Sequence, residues 1–224
     1  MSDALVQLVA ANIAFVGTHF AMSHPLRAPM VKTVGNIGFQ VIYSLVSIAT
    51  LVWVYLAYKA APVADLAGTG EIGWIITSFL ALLAMVLFAG SIVGNPAMPA
   101  PNAGELARSE PRGMFRVTRH PMMWGFGIWA VSHVILWASW RSVITAIAMG
   151  FLALVGAYLQ DRKKEALMGD AWAEWESKTS YWPRWGSMLS AGLKYWLIGA
   201  ALWIALSWAH IPLGGMPAGI WRWL

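Results

Sequence analysis

Six apolar stretches, each about 20 residues long, set the main constraint on how this chain can fold. They cover residues 4–22, 41–61, 72–93, 122–140, 142–160 and 193–210. A bilayer core of about 30 Å requires roughly 20 apolar residues in helical form. A helix also satisfies its own backbone hydrogen bonds without water. We therefore predict an all-α, polytopic membrane bundle of about six transmembrane helices.

The scarcity of charged residues supports a lipid-facing surface. Of the 224 residues, 59% are hydrophobic and only 11% are charged, whereas a soluble domain has about 25% charged residues. So few charges cannot cover a surface that faces water. No repeat and no long linker divides the chain, so we expect one membrane domain over residues 1–224.

The absence of cysteine limits the cofactors that the chain can hold. Disulfides, thiolate metal ligands, iron–sulfur clusters and thioether-attached haem are excluded. Any metal or haem must be held by histidine, methionine, tyrosine or carboxylate ligands.

The distribution of basic residues predicts the orientation of the bundle. Twelve of the fifteen Lys and Arg residues lie in the loops after the first, third and fifth spans, and the other side holds Lys59, Arg141 and Arg222. Because cytoplasmic loops carry the excess of Lys and Arg, both termini are expected on the periplasmic side. We interpret "MSDALVQLVA" as the start of the first helix rather than a cleaved signal.

Three connections between the spans have distinct patterns. "SWRS" at 139–142 predicts a tight turn between the fourth and fifth spans. The segment 94–120 is polar and rich in Pro, Asn and Gly. The segment 161–187 predicts a short amphipathic helix followed by a proline stop.

The candidate site residues gather at one membrane face. His19, His24 and Arg27 end the first span, and the motif "RVTRHP" brings Arg116, Arg119 and His120 to the start of the fourth. Proline is favoured in a first helical turn, where free amides attract an anion. We expect these residues to bind a carboxylate or phosphate, for which haem propionates, an adenosyl cofactor or a lipid phosphate are candidates.

His133 lies away from that face, about 20 Å along its helix from His120. An ionisable residue inside a span is a functional candidate by default. The alternative is a neutral histidine that joins two helices by a hydrogen bond. His210, just before "IPLGG", is expected at the interface, solvated and without a role.

The chain resembles the NnrU family, which is named for a link to nitrite and nitric oxide reduction. The resemblance lies in "GTHFAMSHPLRAP", "GNIGFQVIYSLVSIATLVW", "GMFRVTRHPMMWGFGIWAVSHVILW", "DRK", "GDAW" and "KTSYWP". The same blocks are similar to 15-cis-zeta-carotene isomerases, which are haem b membrane proteins. We therefore expect a multi-pass protein of the bacterial inner membrane.

The resemblance implies a haem b site. Its axial ligands would be His19 and His133, with Trp129 beside them. Arg119 and His120 would orient the propionates or a substrate, and His24, Arg27 and Arg116 are further cofactor-binding candidates. Because His19 to Arg27 is one residue longer than the isomerase spacing, His24 is an alternative counterpart of His19. Where the isomerases have a cysteine and a histidine pair, this chain has Ala130 and Leu152-Ala153.

Two other functions fit the same residues. "TRHPMMWG" and "GDAWAEWESKTSYWP" also resemble the isoprenylcysteine and phospholipid membrane methyltransferases, to which the fold would be kin. That resemblance implies S-adenosylmethionine, with Glu165, Glu174 or Glu176 at its amino group. The third possibility is a haem-free accessory protein of nitrogen-oxide reductases.

The expected partners follow from these assignments. Membrane lipid would surround the spans, and a hydrophobic polyene or a small gas would be the ligand. No nucleic-acid partner is expected.

Overall fold

The computed structural model describes residues 2–224, and every regular element in that range is helical. The α-helices are α1 (Asp3–Ser23), α2 (Arg27–Ala60), α3 (Gly70–Ala89), α4 (Ala103–Arg108), α5 (Pro121–Leu136), α6 (Trp140–Met168), α7 (Asp170–Lys178) and α8 (Leu193–Gly214). Five of them, α1, α2, α3, α6 and α8, are long and apolar enough to cross a membrane. The predicted all-α membrane bundle is confirmed, with five helices of spanning length.

The helix predicted over 122–140 is shorter than expected. α5 has 16 residues, which at 1.5 Å per residue extend about 24 Å, less than a bilayer core. It ends because Trp137 adopts a left-handed conformation with φ 49°. His133 therefore lies in the last turn of the helix and not in its middle.

The turn between α5 and α6 also differs from the prediction. Ser139 caps α6 by accepting a hydrogen bond from the backbone N–H of Ser142. Most of "SWRS" thus belongs to the first turn of α6, and Arg141 is buried there rather than exposed in a loop.

Glycines allow close packing around α3. A Cβ added at Gly125 of α5 would lie 2.9 Å from the carbonyl oxygen of Ala84, and one added at Gly199 of α8 would lie 2.6 Å from Cα of Val86. Small residues let the backbones of membrane helices approach closely. α5, α3 and α8 therefore form one half of the bundle.

α1, α2 and α6 form the other half, and α6 contacts α5. Its buried core contains Leu5, Leu8, Ala11, Phe15, Val54, Ala57 and Ala61. α2 has a kink at Gly35, where φ is 72°. Most of its apolar side chains are exposed, as expected for a helix that faces lipid.

The polar segments fold into a cap at one end of the bundle. α4 packs against α7, and the buried side chains there include Ala97, Ala107, Phe115, Ala171, Trp172 and Trp175. α7 is the amphipathic helix that the sequence predicts in 161–187. The preceding helix, α6, continues to Met168, beyond the predicted end at residue 160.

Candidate functional site

A large cavity opens between the two halves of the bundle. Its volume is about 650 Å³, within the roughly 300–1,000 Å³ typical of cofactor and ligand sites. Its apolar walls include Phe15, Phe20, Leu51, Met85, Met123, Phe126, Trp129, Met149 and Leu152. Its polar lining includes His19, Ser23, His24, Gln160 and Lys163. We call it the larger cavity.

His19 on α1 presents a nitrogen suited to a metal. Its Nδ1 lies 2.7 Å from the carbonyl oxygen of Phe15. Because a carbonyl only accepts, Nδ1 is the donor, and Nε2 of the neutral ring carries the lone pair. Metal-binding histidines commonly donate their other ring N–H to such a carbonyl, which fixes the ring orientation. The ring also contacts Phe15 and Tyr43, with centroids 4.3 and 5.4 Å away.

Positive charge gathers where α1, α2 and α6 meet. His24 and Lys163 line the larger cavity, and Arg27 begins α2. Within residues 2–224, neither Arg27 nor Lys163 forms a salt bridge. Burial, together with the charge of Lys163, lowers the pKa of His24. His24, Arg27 and Lys163 can together receive an anion, and we call these three residues the cationic cluster.

The structure places Arg119 and His120 away from the larger cavity, in an ion-pair network. Arg119 Nη2 lies 2.6 Å from Asp161 Oδ2, and His120 Nε2 lies 2.8 Å from Asp161 Oδ1. Arg119 also contacts Glu176 at 3.0 Å. His120 and Asp161 are buried. These contacts join the start of α5 to α6 and α7.

Sequence reasoning did not pair Asp161 with the Arg-His-Pro motif. The signal that could have found it is the single acid in "DRKK", directly after an apolar span. A lone acid among bases at the end of a span needs a cationic partner.

Backbone contacts reinforce this network. The N–H of Arg119 donates to the carbonyl of Ser180 at 2.8 Å, and the N–H of Arg184 donates to the carbonyl of Val117 at 2.8 Å. The indole N–H of Trp124 donates to the carbonyl of Tyr181 at 2.8 Å. The segment after α7 is therefore tied to the start of α5, and the motif residues serve this junction.

The acids and the remaining arginine named from the sequence also lie outside the larger cavity. Glu165 pairs with Arg162, and Glu174 pairs with Arg108 and Lys178. Burial raises the pKa of Glu176, against the opposing charge of Arg119. Arg116 is exposed to solvent.

A second, smaller cavity of about 250 Å³ lies near the carboxyl end of α5. His133 and His210 both line it, with ring centroids 6.2 Å apart. The Nδ1 atoms of His133 and His210 lie 2.8 Å from the carbonyl oxygens of Trp129 and Leu206. As in His19, Nε2 of each neutral ring carries the lone pair.

His210 was assigned no role from the sequence, because only the packing of α8 makes it a neighbour of His133. His19 and His133 line different cavities, and the two cavities share a wall formed by Met85, Trp129, Thr145 and Leu206. Within residues 2–224, no group of three or more His, Cys, Asp or Glu side chains could hold a metal ion.

The comparison with known protein families decides the kinship of this bundle. The model of the family described as NnrU protein matches residues 7–218. The chain belongs to the NnrU family. This NnrU family member is also 27% identical over 188 residues to the chloroplastic 15-cis-zeta-carotene isomerase of Zea mays. The match covers 80% of the chain and 49% of the relative, so the chain spans about half the length of that protein. No solved structure matches the chain.

Proposed function

We propose that this NnrU family protein binds haem b non-covalently in the larger cavity, within the bacterial inner membrane, with α5 as a short sixth span and both termini in the periplasm. The observation that carries the proposal is His19, whose Nδ1 is held by the Phe15 carbonyl and which lines an apolar cavity of about 650 Å³. The similarity to a zeta-carotene isomerase supports it. A chain without cysteine cannot attach haem covalently through thioethers.

The residues of the larger cavity fit the chemistry of haem. The porphyrin is flat and apolar with two carboxylates. The cavity has apolar walls, and His24 and Lys163 of the cationic cluster line it, while the third member, Arg27, begins α2. Arg27 and Lys163, rather than Arg119 and His120, would pair with the propionates. His19 would hold the iron, and its hydrogen bond to Phe15 would fix the ring and raise its basicity.

His133 is the proposed second ligand, on the basis of the family resemblance. It lies across the shared wall from the larger cavity, with its ring 4.3 Å from that of Trp129. His133 offers Nε2 in the same way as His19, since its Nδ1 donates to a backbone carbonyl.

The bound haem would supply a redox-active iron, and we propose a redox-linked function. The apolar walls suit a hydrophobic polyene or a small gas as the ligand. A polyene would support an isomerase-like activity, as the name of the maize relative indicates for that protein. A small gas would support a role in nitrogen-oxide metabolism, which the family resemblance implies.

The methyltransferase alternative is less favoured by the contacts. Arg119 and His120 are held by Asp161, and Glu165, Glu174 and Glu176 all have cationic partners. To bind S-adenosylmethionine, each of these side chains would have to give up an ion pair that it forms within the chain. If the chain were a haem-free accessory protein, the His19 imidazole would have no metal ion to bind.

Absorbance and calorimetry of the detergent-purified chain, expressed with a haem supply, distinguish the three functions. A Soret band without S-adenosylmethionine binding is the expected result. Binding of S-adenosylmethionine without a chromophore would support the methyltransferase instead. A chain with neither property would support the accessory protein.

A further inference from the structure

The smaller cavity is lined by residues with buried polar atoms that have no hydrogen-bond partner. Among the described residues that line it, the unpartnered atoms are Arg141 Nε, Trp203 Nε1, Ser78 Oγ and Thr145 Oγ1. Arg141 is only 5% exposed. The first two atoms can only donate, and the two hydroxyls can donate as well. An unpaired buried donor is costly, so such a group of donors needs an explanation.

The positive charge of Arg141 is only partly balanced. Its terminal nitrogens donate to the carbonyls of Ala61 at 3.3 Å and Gly214 at 3.2 Å, which end α2 and α8. A weaker contact reaches the carbonyl of Tyr58 at 3.4 Å, whose ring lies 4.5 Å from the guanidinium carbon. Helix carboxyl ends carry partial negative charge, which stabilises a cation. These contacts leave Nε without a partner.

No carboxylate of the described residues pairs with Arg141. Asp65 accepts a hydrogen bond from the backbone N–H of Trp140 at 2.8 Å. Glu71 pairs with Arg222 and also accepts from Trp223. A buried arginine without an acidic partner beside a cavity can receive an anion from outside the chain.

We propose that the smaller cavity binds a short-chain monocarboxylate. The carboxylate would accept from Arg141 Nε and Trp203 Nε1, a charge-assisted arrangement that is stronger than a neutral hydrogen bond. The tail would contact apolar walls that include Val63, Trp74, Ala81, Leu136 and Met216. The volume of about 250 Å³ suits a ligand smaller than a typical drug-sized molecule. The proposal does not depend on haem in the larger cavity.

The test is calorimetric titration of the detergent-purified full chain with butanoate, butanamide and sulfate. Butanoate should bind most tightly, because butanamide lacks the charge and sulfate lacks the apolar tail. Butanamide binding as tightly as butanoate, or sulfate binding more tightly, would overturn the proposal.

Trp203→Phe is the decisive variant. It removes one donor but no hydrogen bond within the described chain, since Trp203 Nε1 has no partner. We expect butanoate binding to weaken about tenfold. Trp172→Phe is the matched control, because Trp172 Nε1 is also buried and unpartnered but does not line the cavity. Unchanged binding by Trp203→Phe would contradict the proposed site.

Arg141→Lys and a haem titration complete the experiment. Arg141→Lys keeps the charge and loses Nε, so binding should weaken even where the variant folds normally. Titration should give the same butanoate affinity with and without haem. Butanoate binding that disappears in haem-loaded protein would assign the carboxylate to a propionate and overturn a separate small-ligand site.

Discussion

The imidazole rings of His133 on α5 and His210 on α8 lie 6.2 Å apart, centroid to centroid, with their planes inclined by 28°. Among the described residues, His210 is the histidine whose ring contacts that of His133. The cavity that they share is about 250 Å³, below the roughly 300–1,000 Å³ of cofactor sites, whereas the larger cavity with His19 is about 650 Å³. Volume therefore favours His19 and the larger cavity for haem.

His133→Gln should abolish or strongly shift the Soret band. Glutamine can replace a hydrogen bond between helices, worth about 0.6 kcal/mol on average in membranes, but it does not replace an imidazole at iron. His210→Gln is the matched variant and should keep the wild-type spectrum. Absorbance of the purified proteins gives the measurement. Loss of the band in His210→Gln but not in His19→Gln would assign the ligand pair to His133 and His210.

Lys163→Gln should weaken haem binding by about 10- to 100-fold without moving the Soret maximum. A charge-assisted pair with a propionate is worth roughly 1.5–3 kcal/mol, while the axial ligands stay in place. Haem titration of the apoprotein measures the affinity. Lys32→Gln is the control, because Lys32 is exposed on α2 and does not line the cavity. Equal affinities of the two variants would rule out the cationic cluster as the propionate site.

Asp161→Asn should destabilise the fold by about 3–5 kcal/mol, since it leaves Arg119 and His120 without their buried carboxylate. Denaturant or thermal unfolding in detergent measures the change. Arg162→Gln removes an exposed pair with Glu165 and should cost less than about 1 kcal/mol. A small effect of Asp161→Asn would mean that the network does not stabilise the junction of α5 with α6.

Acidification should lower the stability of the wild-type chain more than it lowers the stability of the His24→Gln variant. Burial and the charge of Lys163 lower the pKa of His24. Between that lowered pKa and about 6.5, the unfolded chain binds more protons than the folded one, so the free energy of unfolding falls as the pH falls. The contribution of the neutral His24 ring to the free energy of unfolding is fully present above about pH 6.5. Melting temperatures at about pH 7 and pH 5 should differ less in His24→Gln; equal differences would contradict the assignment.

Much of the fold could be predicted from apolar segment length, and the deviations have local causes. The segments at 4–22 and 193–210 correspond closely to α1 and α8. The helix predicted over 122–140 ends early because Trp137 takes a left-handed conformation, which a tryptophan rarely adopts and no pattern indicates. Likewise, α6 runs through "DRKKEALM", because charged residues with good helix propensity continue a helix beyond its apolar part.

The site was only partly predictable because its contacts join distant parts of the chain. The candidates that the sequence indicated were His19, His24, Arg27, Arg116, Arg119, His120, Trp129 and His133. Four of them, His19, His24, Trp129 and His133, line cavities. It could not show that Asp161 binds Arg119 and His120, or that Arg141 is buried and lines the same cavity as His210. Those relationships depend on how α5, α6 and α8 pack, and no local pattern encodes them.

The haem content of wild-type protein and His19→Gln, measured by the pyridine haemochrome assay after expression with a haem supply, tests the central claim most directly. The wild type should contain stoichiometric haem b, and His19→Gln should lose most of it. Thr18→Ala is the control, since Thr18 bonds only within its own helix and lies outside both cavities. Wild-type protein with haem well below stoichiometric, or His19→Gln with as much haem as wild type, would contradict the proposed site.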